Sequence, residues 1–187
     1  MSANIFVWIE QHSGTPLSVS WEALGQARRL ADGGTVTALV FGDGVDEAVR
    51  TAFTCGADVV IKADDATLLH YRFESYVALL VKLVQEHQPN IVLAGATVAG
   101  RELLAGAAAD LGAGLLSDVT ELSLADGKLE SVRPVLGGKV LSVEAVVGGG
   151  PQFAALRPRA FQALEPDASR SGAVTEVAPV LAESGIA

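Results

Sequence analysis

Chemistry in this 187-residue sequence has one natural address, the loop Gly95-Ala96-Thr97-Val98-Ala99-Gly100-Arg101. Gly95 and Gly100 let the backbone approach a ligand closely, Thr97 offers a hydroxyl, and Arg101 can pair with a phosphate. The apolar run Ile91 to Ala94 leads in and an amphipathic stretch leads out. The loop therefore reads as a strand-to-helix turn that aims N–H groups and a positive helix end at one spot. An adenine nucleotide would suit that spot. The same glycines serve as well as steric punctuation between strand and helix. Glu10-Gln11-His12 favours the second reading, because it follows the first apolar run where a dinucleotide fold carries its glycine fingerprint.

Little else in the chain has the spacing of a reaction centre. His12, His70 and His87 are dispersed without metal-ligand spacing, and His87 falls in the last turn of a predicted helix, where a cation is favoured anyway. No Gly-Lys-Ser/Thr run exists, and no Ser-His-Asp set can be assembled. We therefore expect no catalytic residues and no metal. Cys55 is the only cysteine, so no internal disulfide forms, and a buried structural thiol is expected. Arg133-Pro134 and Arg157-Pro158 set guanidinium groups beside rigid turns, with the reversal Gly137-Gly138 close by. Pro and charge protect an edge strand. Arginine in such a place equally builds a contact surface for another chain.

The elements that must position these residues are legible from periodicity. Ile5 to Ile9, Thr35 to Phe41, Asp58 to Lys62 and Asn90 to Ala94 are apolar runs suited to buried strands. Helical patterns follow each of them, over Leu17 to Ala31, Asp46 to Cys55, Tyr71 to His87 and Arg101 to Leu111. Alternating strands and helices imply an α/β fold, a Rossmann-like parallel sheet flanked by helices. From Ser117 the pattern changes to alternation: Ser117 to Leu124, the hairpin signal Asp126-Gly127, Leu129 to Leu136, and Lys139 to Val147. Gln152 to Arg157 adds a possible further strand, so an antiparallel β extension is expected at the C-terminal end. Residues 1–161 read as one domain, and the small, polar, proline-dotted residues 162–187 as a flexible tail or linker remnant.

Composition narrows the setting. Half of the residues are hydrophobic and 19% are charged, which suits a globular core. A net charge of −9 without a basic patch speaks against nucleic acid. No apolar run is long enough for membrane insertion, and strand-like sequence begins too early for a leader peptide. A cytoplasmic location is expected.

The order of these pieces resembles the N-terminal domain of the electron transfer flavoprotein alpha subunit. The resemblance is carried by Gly95 to Leu103, Ala107 to Leu115, Ser117-Asp118-Val119-Thr120, Val132 to Lys139 and Ala155 to Phe161, with Ile5 to Glu10 and Leu24 to Leu30 fitting as well. It covers residues 4 to 161. Where the family often has Pro-Arg, this chain has Ala105-Gly106, and Lys139 stands where the family favours Asn. The resemblance implies a domain that pairs with the electron transfer flavoprotein beta subunit and supports a FAD-binding domain. That assembly shuttles electrons from dehydrogenases to an acceptor. It implies FAD in the assembled flavoprotein and AMP in the partner beta subunit, with neither held by this chain alone. The FAD-binding domain has no counterpart after Phe161, so it is separate or missing. Arg133, Pro134, Gly137, Gly138, Arg157 and Pro158 become candidates for the subunit interface. The competing reading is a stand-alone adenine-nucleotide-binding domain of universal-stress or nucleotide-hydrolase type, with Gly95, Thr97, Gly100 and Arg101 as its loop.

Overall fold

Each apolar run becomes a strand whose two faces are both covered. In the computed structural model, which describes residues 2–186, β1 (Ile5–Ile9) lies at the centre of a sheet. A small ribbon of β2 (Gln11–His12) and β3 (Thr15–Pro16) leads into helix α1 (Ser18–Ala31). Then β4 (Val36–Gly42), α2 (Asp46–Thr54), β5 (Val59–Asp64), α3 (Phe73–His87), β6 (Ile91–Gly95) and α4 (Val98–Asp110) alternate. Alternate side chains of β1 feed separate cores. Ile5, Val7 and Ile9 pack with α1 and α2, whereas Phe6 and Trp8 pack with α3 and α4. That two-sided burial is why the strands read as unbroken apolar runs.

The chain then departs from simple alternation. After β7 (Leu115–Val119) come β8 (Glu121–Ala125), β9 (Lys128–Val135) and β10 (Val140–Ala145), which form a separate antiparallel sheet in the order β10-β9-β8. Next, β11 (Gln152–Leu156) enters the main sheet between β6 and β7, parallel to both. Two parallel neighbours need a crossover. Between β7 and β11 the three-stranded sheet supplies it, in the place where a helix usually stands. The antiparallel part expected at the C-terminal end is thus an insertion, and Gln152 to Leu156 belongs to the parallel sheet.

After Phe161, where a flexible tail or linker remnant is expected, the chain runs back along the β5 side of the sheet. Arg170 donates to the Phe53 carbonyl at 3.2 Å and to Asp58 at 3.3 Å. Strand β12 (Ala173–Glu176) pairs with β5 in parallel, completing the seven-stranded order β12-β5-β4-β1-β6-β11-β7. Lys62 meets Glu176 at 2.9 Å, and Arg72 grips Glu183 through both carboxylate oxygens. Backbone bonds and ion pairs hold this strap, and all of β12 is exposed. A hydrophobic pattern therefore had no reason to announce it. Met1 and Ala187, at the limits of the expected domain and tail, lie outside the described residues.

Candidate functional site

Strands β4 and β5 lie on one side of β1, and β6 lies on the other. The chain reverses its direction of travel between β1 and β6, and open α/β sheets bind ligands at the carboxyl ends of such a pair. The loop from Gly95 to Arg101 leaves β6 at that point, so the structure puts the predicted loop in the right place. Its chemistry is already committed. The Thr97 hydroxyl accepts from the Gly100 N–H at 2.9 Å as the N-cap of α4, and donates to Glu10 Oε2 at 2.5 Å. Glu10 leaves β1 and is 4% exposed. Its backbone N–H bonds the Ser20 hydroxyl, and its carbonyl accepts from Leu17 N–H at 2.9 Å.

A carboxylate of the chain itself therefore sits where an anion would meet the helix end. The space over the glycines is filled too. A Cβ on Gly95 would stand 2.5 Å from Val19 Cγ1, and one on Gly100 would stand 2.0 Å from the Gly95 carbonyl oxygen. Both glycines are required by close packing of α1 and α4 on the strand end. Arg101 folds back, its Nε donating to the Thr97 carbonyl at 3.2 Å, and Val98 points outward. These residues do not fit a nucleotide phosphate. The residues that close the crevice, Glu10 and Val19, were not singled out from the sequence. One available signal was a carboxylate at the first strand exit, where a nucleotide fold has glycine.

Burial pushes the Glu10 carboxyl up from its ordinary 4.5, against the Thr97 hydrogen bond and the nearby His12, which pull it down. Between the ordinary and the raised value the folded chain binds more protons than the unfolded one, so stability falls as pH rises through that window. Glu10→Gln removes the titration. Its stability relative to the unmodified chain should climb as pH rises from about 4.5 and level off above the raised value. Urea midpoints measured across that range check this, and a constant difference would contradict it.

The arginine-proline pairs converge from two elements. Arg157, at the end of β11, forks onto Asp118 of β7 at 3.0 and 2.6 Å. This holds the Asp118 carboxyl below its ordinary range, with Arg101 and Arg133 near enough to add to the effect. Arg133 of β9 meets Glu144 of β10 at 2.8 Å and the Ser117 carbonyl at 3.3 Å. Pro134 lies opposite Leu141, and Gly137-Gly138 make the β9–β10 reversal with φ of 67° and 86°. Pro158 is exposed. Asp118, which Arg157 grips through both carboxylate oxygens, is a further residue that sequence reasoning quoted without assigning it a role.

Comparison with known proteins decides the lineage. The family described as "Electron transfer flavoprotein domain" matches residues 5–182. The chain belongs to the electron transfer flavoprotein family. It is 40% identical over 162 residues to Protein FixB of Azorhizobium caulinodans, covering 83% of this chain and 44% of that protein. It is 38% identical over 176 residues to the electron transfer flavoprotein subunit alpha of Megasphaera elsdenii, covering 92% and 52%. The subunit alpha of Bacillus subtilis is 31% identical over 178 residues, covering 95% and 54%. The chain thus spans about half the length of these relatives. The resemblance to the alpha subunit's N-terminal domain holds, and nothing in the comparisons supports a stand-alone nucleotide binder. Among the described residues no cluster of His, Cys, Asp or Glu is arranged for a metal ion, and no helix is long and apolar enough to cross a membrane. Cys55 is buried, and burial pushes its thiol up.

Proposed function

We propose that this chain is the N-terminal domain of an electron transfer flavoprotein alpha subunit, with residues 1–161 as a pairing domain for the beta subunit. In the assembly it supports the FAD domain that carries electrons from dehydrogenases to an acceptor. FAD belongs to that separate domain and AMP to the beta subunit. This chain contributes position and no catalytic residue of its own. Electron transfer demands close approach of cofactors, so a rigid base that places the subunits governs the rate. A cytoplasmic setting goes with this role.

The observation that carries the reading is where apolar surface remains uncovered. Leu136, Val140, Leu141, Val143 and Val147 are all exposed along the β9–β10 reversal, β10 and its exit. An apolar patch of this kind on a soluble acidic domain marks a protein contact. Arg133, Pro134, Gly137 and Gly138 lie on or beside it, with Arg157 and Pro158 at the neighbouring sheet end. Size-exclusion chromatography of the chain mixed with the beta subunit and FAD domain should give one complex that elutes ahead of the parts. Separate elution at tens of micromolar would count decisively against the role. Titration with AMP should give no heat from the chain alone, because Glu10 and Val19 close the crevice.

A further inference from the structure

We propose that the free edge of β10 takes an extended strand of the beta subunit in antiparallel pairing, so that the antiparallel sheet continues into the partner. This rests on the pairing role proposed above and specifies how that contact is made. β10 is hydrogen-bonded to β9 on one side only and ends its sheet. The bond from Val146 N–H to the Leu129 carbonyl at 3.1 Å, read with the register Ala145↔Glu130, sets which groups face outward. Ser142 and Glu144 turn their N–H and C=O to β9. Leu141, Val143 and Ala145 turn theirs to the open edge. Pro134 lies opposite Leu141, at a position where β10 asks for no N–H, so the proline costs this ladder nothing.

Natural edges carry Pro, Lys or a bulge to prevent pairing. β10 reads Val-Leu-Ser-Val-Glu-Ala, and its one charge, Glu144, is engaged by Arg133. Leu141 is 63% exposed and Val143 75% exposed, on one face with Val132. An edge of six unprotected residues is a strand acceptor, in which main-chain bonds give affinity and alternate side chains give selectivity.

Charge indicates the occupant. A shallow groove of about 210 Å³ on the same face is bordered by Glu121, Glu130, Val132 and Val143. Lys128, on the same strand as Glu130, is engaged by the Gly148 carbonyl. Ala145 lies directly between the open edge and Glu130, so a Lys or Arg on the incoming strand can pass over its methyl group and reach that carboxylate. A second copy brings the same acidic rim and another −9 of charge, which disfavours self-pairing. The fitting strand is apolar at alternate positions, with a basic side chain opposite Ala145.

Amide hydrogen exchange read by NMR, with and without the beta subunit, tests the geometry. In the isolated chain Ser142 and Glu144 should be protected, and Leu141, Val143 and Ala145 open. Binding should protect those three amides and leave the alternation at Ser142 and Glu144 unchanged. Val143→Pro deletes an outward N–H that β9 does not use, and should weaken association by roughly tenfold or more. Val143→Thr keeps the N–H and should stay within about threefold. Unchanged melting of both variants shows that the fold is intact. Association without new protection at Leu141, Val143 and Ala145, or with Val143→Pro binding normally, overturns strand addition while the pairing role stands. No association of the unmodified pair overturns both. Protection that rises with the concentration of this chain alone replaces the beta subunit with a second copy and overturns the assigned partner.

Discussion

Gly100→Ala is expected to destabilise the domain by roughly 2–4 kcal/mol, beyond the usual range for a single overpacked atom because the obstacle is backbone. Melting should fall by about 5–15 °C for a chain of this size. Helix propensity predicts the opposite sign. An exposed helical glycine changed to alanine gains about 1 kcal/mol, since alanine loses less entropy on folding. Gly100 is the third residue of α4, where that gain would apply. The new Cβ, however, would stand 2.0 Å from the Gly95 carbonyl oxygen. No rotamer relieves a clash with backbone, so helix and strand end must separate. Gly95→Ala meets first the Val19 side chain, at 2.5 Å, and should cost less. Combining it with Val19→Ala should recover part of the loss. Equal or higher stability of Gly100→Ala in thermal melts would mean that the turn is open enough for a ligand, and would revive a nucleotide role.

Phe153→Ala should cost about 3–5 kcal/mol, the range for removing a large aromatic side chain from a closed core. Phe153→Leu should cost about 1 kcal/mol, because most of the volume is kept. Phe153 has no exposed surface, and its neighbours across the sheet are Val92 and Leu115. It packs with Leu103, Leu104 and Ala107 of α4. The alternative placement, a peripheral strand of the antiparallel sheet, would leave the ring half exposed and its removal worth little more than 1 kcal/mol. Urea unfolding of both variants therefore reports where β11 lies. A loss below about 1.5 kcal/mol for Phe153→Ala would contradict its central position.

Much of the architecture was legible beforehand because both faces of the main sheet are covered. Ile5 to Ile9 and Ile91 to Ala94 had to be apolar throughout, and such runs survive in sequence without any partner being known. The stripe of α3 was nearly as plain: of Phe73, Tyr76, Val77, Leu80, Leu83 and Val84, all but the exposed Phe73 face one core. The antiparallel sheet announced itself through alternation and the turn at Asp126-Gly127. Strand β12 gave no such signal. Its side chains are exposed, and main-chain bonds to β5 and the Lys62–Glu176 ion pair hold it in register.

The candidate site divides along the same line. Composition and local pattern by themselves determined an acidic α/β domain and the strand-turn-helix at Gly95 to Arg101. Tertiary structure alone decided that Glu10, distant in sequence from Thr97, would close that turn, and that β11 would enter between β6 and β7. Local pattern records what a residue needs from its near neighbours: a period, a cap, a turn. Which distant side chain fills a crevice, and which edge stays open, depends on strand order. Strand order is set by the total burial of the assembled sheet, and no short window of sequence contains that sum.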